Sequence, residues 1–470
     1  MTAKSISRRD FMKATAAGVA ACLPGGIPAA MGAARRKPFD GAQGKPNIVL
    51  IMADDLGHEC IGAHGGTSYK TPVLDRLAAE GVRFEHAYAQ PLCTPTRAKL
   101  MTGIYNVRNY VKFGLLDPAQ TTFAHLLKQA GYATCIVGKW QLGGGFEGPG
   151  HFGFDEYCLW QLNRRPSRYS NCGLEVNGKQ VDYTNGEYGP DVVSDYACEF
   201  MQRNKDKRFL VYYPMILTHC PFEPTPDSAD WDPAGKGAKG YKGDPKYFGD
   251  MVAYMDKMVG KLVRKLEELG LRENTLVLFT GDNGTDQPVV SRMGDRQVKG
   301  GKGSMSDAGT RVPLIASWPG TAARGKVCDD LVDFSDFLPT LCQCAGVAVP
   351  EKLAIDGRSF LPQVRGEKGT PREWIYCWYS REGNPAAAKE FARNHRYKLY
   401  RTGKLFDVRS DVLEASPLKE ADLDAEARKA RAMLQGVLDK YKDARPESLN
   451  KPAKANAKAK RKKKAKQAAP

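Results

Sequence analysis

The stretch NIVLIMADDLG, residues 47–57, decides the architecture of this chain. From Asn47 to Met52 it is a continuous apolar, β-branched run that ends in the carboxylates of Asp54 and Asp55. No alternating polar face interrupts it, so both faces of the strand must be covered, as in a parallel sheet flanked by helices. Working outward, an amphipathic helix from Thr71 to Gly81 is closed by glycine. A second helix, Thr121 to Gly131, leads into a strand from Ala133 to Val137. Asp191 to Arg203 reads as helix and Phe209 to Ile216 as strand. From Phe248 to Leu269, Met251, Met255, Met258, Leu262, Leu266 and Leu269 recur at helical spacing, and Gly270 ends the helix. Thr275 to Thr280 and Val312 to Trp318 are further strands. Strands alternating with helices predict βαβ units and an α/β fold with a mostly parallel sheet.

In such sheets a ligand site lies beyond the carboxyl ends of the strands. Asp54-Asp55, Lys139, His219 and Asp282-Asn283 all fall at predicted strand ends, which locates one site. Asp54, Asp55, Asp282 and Asn283 are hard oxygen ligands, suited to calcium or magnesium. Adjacent aspartates on a regular strand point oppositely, but where the chain turns both can reach one ion. Each motif alone is also an ordinary turn.

The rest of the chain sets limits. It has 470 residues, 42% hydrophobic and 26% charged, an ordinary globular composition that fits two or three domains. The net charge of +17 is uneven: residues 451–470 carry eight Lys and one Arg without an acid, leaving +8 for everything else, a basic leader included. That tail lacks apolar periodicity and reads as disordered; it is a solubilising end or a tether to an anionic surface, which argues against nucleic acid as partner. Ser7-Arg8-Arg9-Asp10-Phe11-Met12-Lys13 followed by the short apolar stretch Ala14 to Leu23 is a twin-arginine export pattern, not a membrane span. Val19-Ala20-Ala21-Cys22 also looks like a lipoprotein cleavage box. Twelve cysteines show no repeating framework and no C-x-x-C pair, and Cys342 and Cys344 lie in an apolar helical pattern as core thiols. After Gly346 short apolar stretches, Trp374 to Tyr379 and Tyr397 to Phe406, precede a charged helix from Ala421 to Lys442. The expected division is a leader at 1–36, a catalytic domain at 37–345, a smaller C-terminal α+β domain at 346–445 and the tail at 446–470.

Cys93-Thr94-Pro95-Thr96-Arg97 matches the pattern C-x-P-x-R. With NIVLIMADDLG, TPVLDRLAAEGVRF, GKW, THCPF, TGDNG and GKGSMSDAGTRVPL in order around it, the chain resembles the formylglycine-dependent sulfatases of the alkaline phosphatase-like superfamily from about Lys45 onward. The resemblance implies that fold, and a sulfuric ester hydrolase whose nucleophile is formylglycine made from Cys93. It also implies a calcium ion, less readily magnesium, held by Asp54, Asp55, Asp282 and Asn283 and completed by residue 93. By the same resemblance Arg97 holds the aldehyde hydrate, Lys139 and Lys302 clamp the sulfate, and His219 protonates the departing alcohol. A maturation enzyme that makes formylglycine, the twin-arginine export machinery and a sulfated substrate, such as a polysaccharide, are the implied partners. The implied location is the periplasm or the exterior.

One position departs from the family pattern. Where G-K-W-H-L-G is usual, the sequence reads Gly138-Lys139-Trp140-Gln141-Leu142-Gly143. Gln141 can hydrogen-bond but cannot take a proton. His151, just past the glycine-rich loop, is the nearest replacement in sequence, with water or hydroxide as the competing one. His125 reads as a helix residue facing the core. Two other functions compete: a phosphoester or phosphonate hydrolase of the same superfamily, and an exported polyanion-binding relative without turnover.

Overall fold

The computed structural model describes residues 45–450, except 236 and 238–240. The export leader, Cys22 and the basic tail beyond 450 lie outside the described residues. Ten strands build the main sheet: β1 (Asn47–Ala53), β2 (Val82–Tyr88), β3 (Ala133–Lys139), β4 (Glu156–Trp160), β5 (Gly173–Val176), β6 (Lys179–Asp182), β7 (Phe209–Pro214), β8 (Thr275–Gly281), β9 (Arg311–Ser317) and β10 (Lys326–Asp333). Their spatial order is β10-β2-β9-β8-β1-β7-β3-β4-β5-β6. The five neighbours β8, β1, β7, β3 and β4 run parallel, so their carboxyl ends share one edge. β9 is antiparallel to both β8 and β2, because the segment after β8 folds back from that same edge.

Every residue of β1 is buried. Its alternation divides the run between two cores: Ile48, Leu50 and Met52 join one apolar cluster, Val49, Ile51 and Ala53 the other. At about 1.5–3 kcal/mol for each large aliphatic side chain buried, this strand anchors the sheet from both sides. Helices α1 (Pro72–Ala79), α2 (Cys93–Thr102), α3 (Phe123–Gln129), α4 (Gly189–Arg203), α5 (Phe248–Glu268) and α6 (Phe337–Cys344) supply the covering layers. The predicted stripe of α5 is buried at Met251, Met255, Met258, Leu262 and Leu266, and Gly270 beyond it adopts φ 68°. Cys342 and Cys344 are buried on α6.

The C-terminal segment forms a four-stranded antiparallel meander, β11 (Ile375–Tyr379), β12 (Lys389–Arg393), β13 (Tyr397–Tyr400) and β14 (Leu405–Asp407), covered by α7 (Ala425–Lys440). Tyr376, Leu399 and Leu434 belong to the same apolar cluster as Ile48 and Leu50. Among the described residues no helix is long and apolar enough to cross a membrane.

One expectation changes. His125 does not face the core: it caps α3, its Nδ1 accepting from the Thr122 backbone N–H at 3.1 Å while the Thr122 hydroxyl accepts from the His125 N–H at 3.3 Å. Its position three residues after the N-cap produces both a helical periodicity and a cap, and the cap wins because it satisfies two orphan donors.

Two histidines beside the sheet are buried. Burial, and then the positive charge of Arg311, pushes His58 down to about 3, and burial holds His64 well below the ordinary imidazole range. Below pH 6.5 the unfolded chain takes up protons that the folded chain refuses, so stability falls as pH falls from there toward the folded value. Each such histidine contributes a slope of about 1.4 kcal/mol per pH unit. We expect His64→Gln, which cannot titrate, to flatten the loss of unfolding free energy between pH 7 and pH 5 measured in urea. An unchanged slope counts against this source of acid sensitivity.

Candidate active site

The shared carboxyl edge gathers the charged residues. β1 runs out into Asp54 and Asp55, and Asp55 turns into the left-handed region at φ 60°. That turn lets two adjacent carboxylates serve one site instead of opposite faces. The Asp54 N–H donates to Leu217 O at 2.9 Å and the Thr218 N–H returns to Asp54 O at 2.8 Å, which fixes the loop after β7 that carries His219. β8 runs out into Asp282, whose N–H donates to Ala53 O at 2.9 Å and whose Oδ1 accepts the Asp55 N–H at 3.0 Å. Asn283 Nδ2 donates to Asp55 Oδ1 at 2.8 Å. β3 delivers Lys139 through Gly138, whose φ is 106° and where an added Cβ would lie 2.1 Å from Pro214 O.

Cys93 is the first residue of α2, a helix buried along all ten residues. The positive end of its dipole faces the site, as suits an anion or an ionised nucleophile. Burial pushes the Cys93 thiol up, so as a thiol it is neutral and donates to Gln141 Oε1 at 2.7 Å. Gln141 itself sits at φ 57°. One turn along, Arg97 donates to Lys139 O at 2.9 Å and to Asp282 Oδ2 at 3.2 Å, and its buried Nε has no partner.

Three cations face three carboxylates. Lys139 Nζ donates to Asp54 Oδ2 at 2.6 Å, Lys302 pairs with Asp55 Oδ2, and Arg97 takes Asp282. Lys302 also lies 3.1 Å from His219 Nε2. Burial pushes His219 well below its ordinary range, Lys139 and Lys302 adding to it against the pull of Asp54. The ring is therefore neutral, with Nδ1 2.6 Å from Cys220 O. Burial, reinforced by the Asp54 charge, raises Asp282 to about 7. Burial also works against ionisation of Asp54, but Lys139 and its neighbours outweigh it and hold that carboxyl low.

A divalent cation fits this arrangement. Asp54 Oδ1 and Asn283 Oδ1 are buried acceptors without a hydrogen-bond partner. Native structures seldom leave such oxygens orphaned, and an ion satisfies them. Carboxylate oxygens of Asp54 and Asp55 lie within 4.8 Å of each other and of a His219 ring nitrogen.

All ten residues singled out from the sequence thus meet at one edge. His151 stands apart: its ring lies at the exposed surface, Nε2 2.8 Å from Pro118 O. Arg168 was not foreseen. Its Nη1 lies 2.9 Å from His219 Nδ1 and its guanidinium stacks on Trp160, 4.0 Å from the ring centroid. The basic run Arg164, Arg165, Arg168 after β4 was the available signal.

Residues 46–347 match the family model described as Sulfatase. The chain belongs to the sulfatase family. Residues 301–442 of this sulfatase match the C-terminal region of N-sulphoglucosamine sulphohydrolase, and residues 5–25 match the twin-arginine translocation signal, so the enzyme carries an export signal for that machinery. It is 33% identical to arylsulfatase A of Homo sapiens over 371 residues, 71% of each chain. It is 32% identical to N-acetylgalactosamine-6-sulfatase of Canis lupus familiaris over 373 residues, 72% of this chain and 69% of the relative. The solved structure of Ps i-CgsB in complex with k-i-k-neocarrahexaose superposes with TM-score 0.71 at 28% identity, covering 86% of this chain and 94% of that one. The enzyme hydrolyses sulfate esters, and the alkaline phosphatase-like fold expected from the sequence holds.

Proposed function

We propose that this sulfatase removes sulfate from a sulfated carbohydrate in the periplasm or outside the cell. Its nucleophile is formylglycine made from Cys93 by a maturation enzyme. Calcium is held by Asp54, Asp55, Asp282 and Asn283, with residue 93 completing the set. The division into a catalytic domain at 37–345 and a companion domain at 346–445 is part of this reading; the first part contains every site residue. The observation that carries it is the position of Cys93: buried at a helix start, against a ring of three cations and three carboxylates.

The buried thiol is a neutral, poor nucleophile. One hydroxyl of hydrated formylglycine attacks sulfur and displaces the alcohol; the other then loses its proton and becomes the aldehyde oxygen as the C–O bond to the sulfate breaks, with no further attacking water. Calcium supplies positive charge against the sulfate oxygens and favours the ionised hydroxyl. Each of the three carboxylates is partnered by one of the three cations, and a divalent charge among them would turn the site toward anions. Lys139 and Lys302 each share a carboxylate that the ion would take, which frees both ammonium groups to hold sulfate oxygens. The unpartnered Nε of Arg97 supports its role at the hydrate. Lys302 donates to neutral His219, so the pair carries the proton that the leaving alcohol needs.

Gln141 accepts from residue 93 and orients it, but takes no proton. With His151 tied to Pro118 at the surface, water or hydroxide is the acceptor for sulfate release. Histidine tolerates the left-handed backbone comparatively well, so Gln141→His is expected to fold and to speed sulfate release more than the first bond cleavage. Pre-steady-state kinetics separates these steps as a burst of alcohol followed by slow turnover. A change confined to the burst rate overturns this account.

The complex of Ps i-CgsB with an oligosaccharide supports the carbohydrate assignment. Matured enzyme should be assayed on defined sulfated sugars beside a steroid sulfate, an aryl sulfate and an aryl phosphate. Sulfate release fastest from a sugar supports the proposal. Faster cleavage of the steroid refutes the carbohydrate, and faster cleavage of the phosphate refutes sulfate specificity.

A further inference from the structure

A second cluster of ligating side chains lies away from the catalytic residues. His86 is on β2, Asp329 on the edge strand β10, and His395 in the turn between β12 and β13. Their ligating atoms all lie within 4.8 Å of one another. His86 Nε2 is already 3.1 Å from Asp329 Oδ1. The His395 ring stands nearly perpendicular to that of His86, centroids 5.1 Å apart. In a tetrahedral site with bonds of about 2.1 Å, ligand atoms are about 3.4 Å apart. The first pair is at that spacing, and the exposed side chain of Asp329 has room to close the rest.

Three features point to a ligand and not to a chance contact. The β10–β2 pairing slips between Cys328 and Leu331, a bulge that inserts Asp329 and Asp330 opposite Glu85. Bulges of this kind re-aim a side chain. A cavity of about 220 Å³ opens on the three residues. His395 Nε2 lies 2.8 Å from the backbone O of Asp329, which holds that ring against the bulge beside the Asp329 side chain. Of the arginines that line the cavity, Arg393 pairs with Asp307 and Arg311 with Glu85 at 3.5 Å, while Arg409 also faces it.

We propose that His86, His395 and Asp329 form a second metal site, for a zinc-like divalent transition ion, that clips the edge of the main sheet to the C-terminal sheet. Two imidazoles and one carboxylate select such ions over calcium or magnesium, and three protein ligands leave an open position toward the cavity. The site shares no residue with the oxygen-rich one at Asp54 and Asp55, and the proposal does not rest on the catalytic reading.

The test uses the full chain with excess calcium present, titrated calorimetrically with zinc chloride. We expect one zinc per chain, a rise in Tm by mass action, and weakening by about tenfold or more in His86→Gln and in His395→Gln. Asp54→Asn should leave zinc affinity unchanged. Cobalt in place of zinc should give visible d–d absorption bands that His395→Gln removes. Should a histidine variant misfold, Asp329→Asn, altered at an exposed side chain, must still weaken zinc. The proposal fails if zinc does not bind, if the His86→Gln, His395→Gln double variant binds it as well as wild type, or if Asp54→Asn abolishes binding.

Discussion

Cys93→Ala is expected to lower turnover of an aryl sulfate by on the order of 10⁴-fold or more, since it removes the attacking atom altogether. The loss should come without unfolding. The side chain is small, 2% exposed, and its hydrogen bond is a single one to Gln141, so truncation costs about 1 kcal/mol. Calcium-dependent stabilisation should persist, because four oxygen ligands remain. Mass spectrometry of the wild-type peptide containing residue 93, from protein made in its native host, should find the aldehyde or its hydrate. Turnover in Cys93→Ala within tenfold of wild type, or an active wild type carrying only the thiol, ends the nucleophile assignment.

Asp54→Ala is expected to be as damaging, by a different route. Asp54 accepts from Lys139 at 2.6 Å and lies 3.9 Å from Arg97, all three side chains being almost fully buried. Removing one partner of a buried pair leaves an uncompensated charge and costs about 3–5 kcal/mol. It also removes a ligand whose second oxygen has no other partner. Calcium at a hundred times its Kd should stabilise the wild type by about 2.7 kcal/mol against the chelated protein. Asp54→Asn keeps the shape and most of the hydrogen bonding, and is expected to lose that increment along with nearly all activity. An Asp54→Asn protein whose Tm still responds to calcium like wild type contradicts the metal assignment.

What could be read in advance followed physical lines. β1, β3, β7 and β8 are apolar on both faces, so their sequences announce buried parallel strands. β2 was not recognised because Arg83, Glu85 and His86 interrupt it, as suits a strand with one half-buried face. β10 is broken by its bulge at Asp329 and Asp330, and the short β4 to β6 lie on the sheet's far margin. Of the site, the ten residues at strand ends and in the block around Cys93 were legible because chain turns and local motifs fix them. Arg168 was not, since its contact with His219 spans 51 positions and depends on how one loop lies on Trp160. The proton acceptor at Gln141 illustrates another limit: distance in sequence nominated His151, whereas the fold turns that ring to the surface.

The complete burial of α2 sets a schedule. Its ten residues are all buried, with Arg97 bonded to Lys139 O and Lys99 to Tyr376 O, so nothing the size of another protein can close around Cys93 once they are packed. Any enzyme that rewrites this side chain must therefore act while the segment is still loose. The export route signalled at residues 5–25 conveys proteins that have already folded. On the proposed conversion of Cys93, synthesis, chemical editing, closure and departure follow in that order, and folding serves as the deadline. By the same proposal, a chain that closes too early crosses the membrane sound in shape and permanently unfinished.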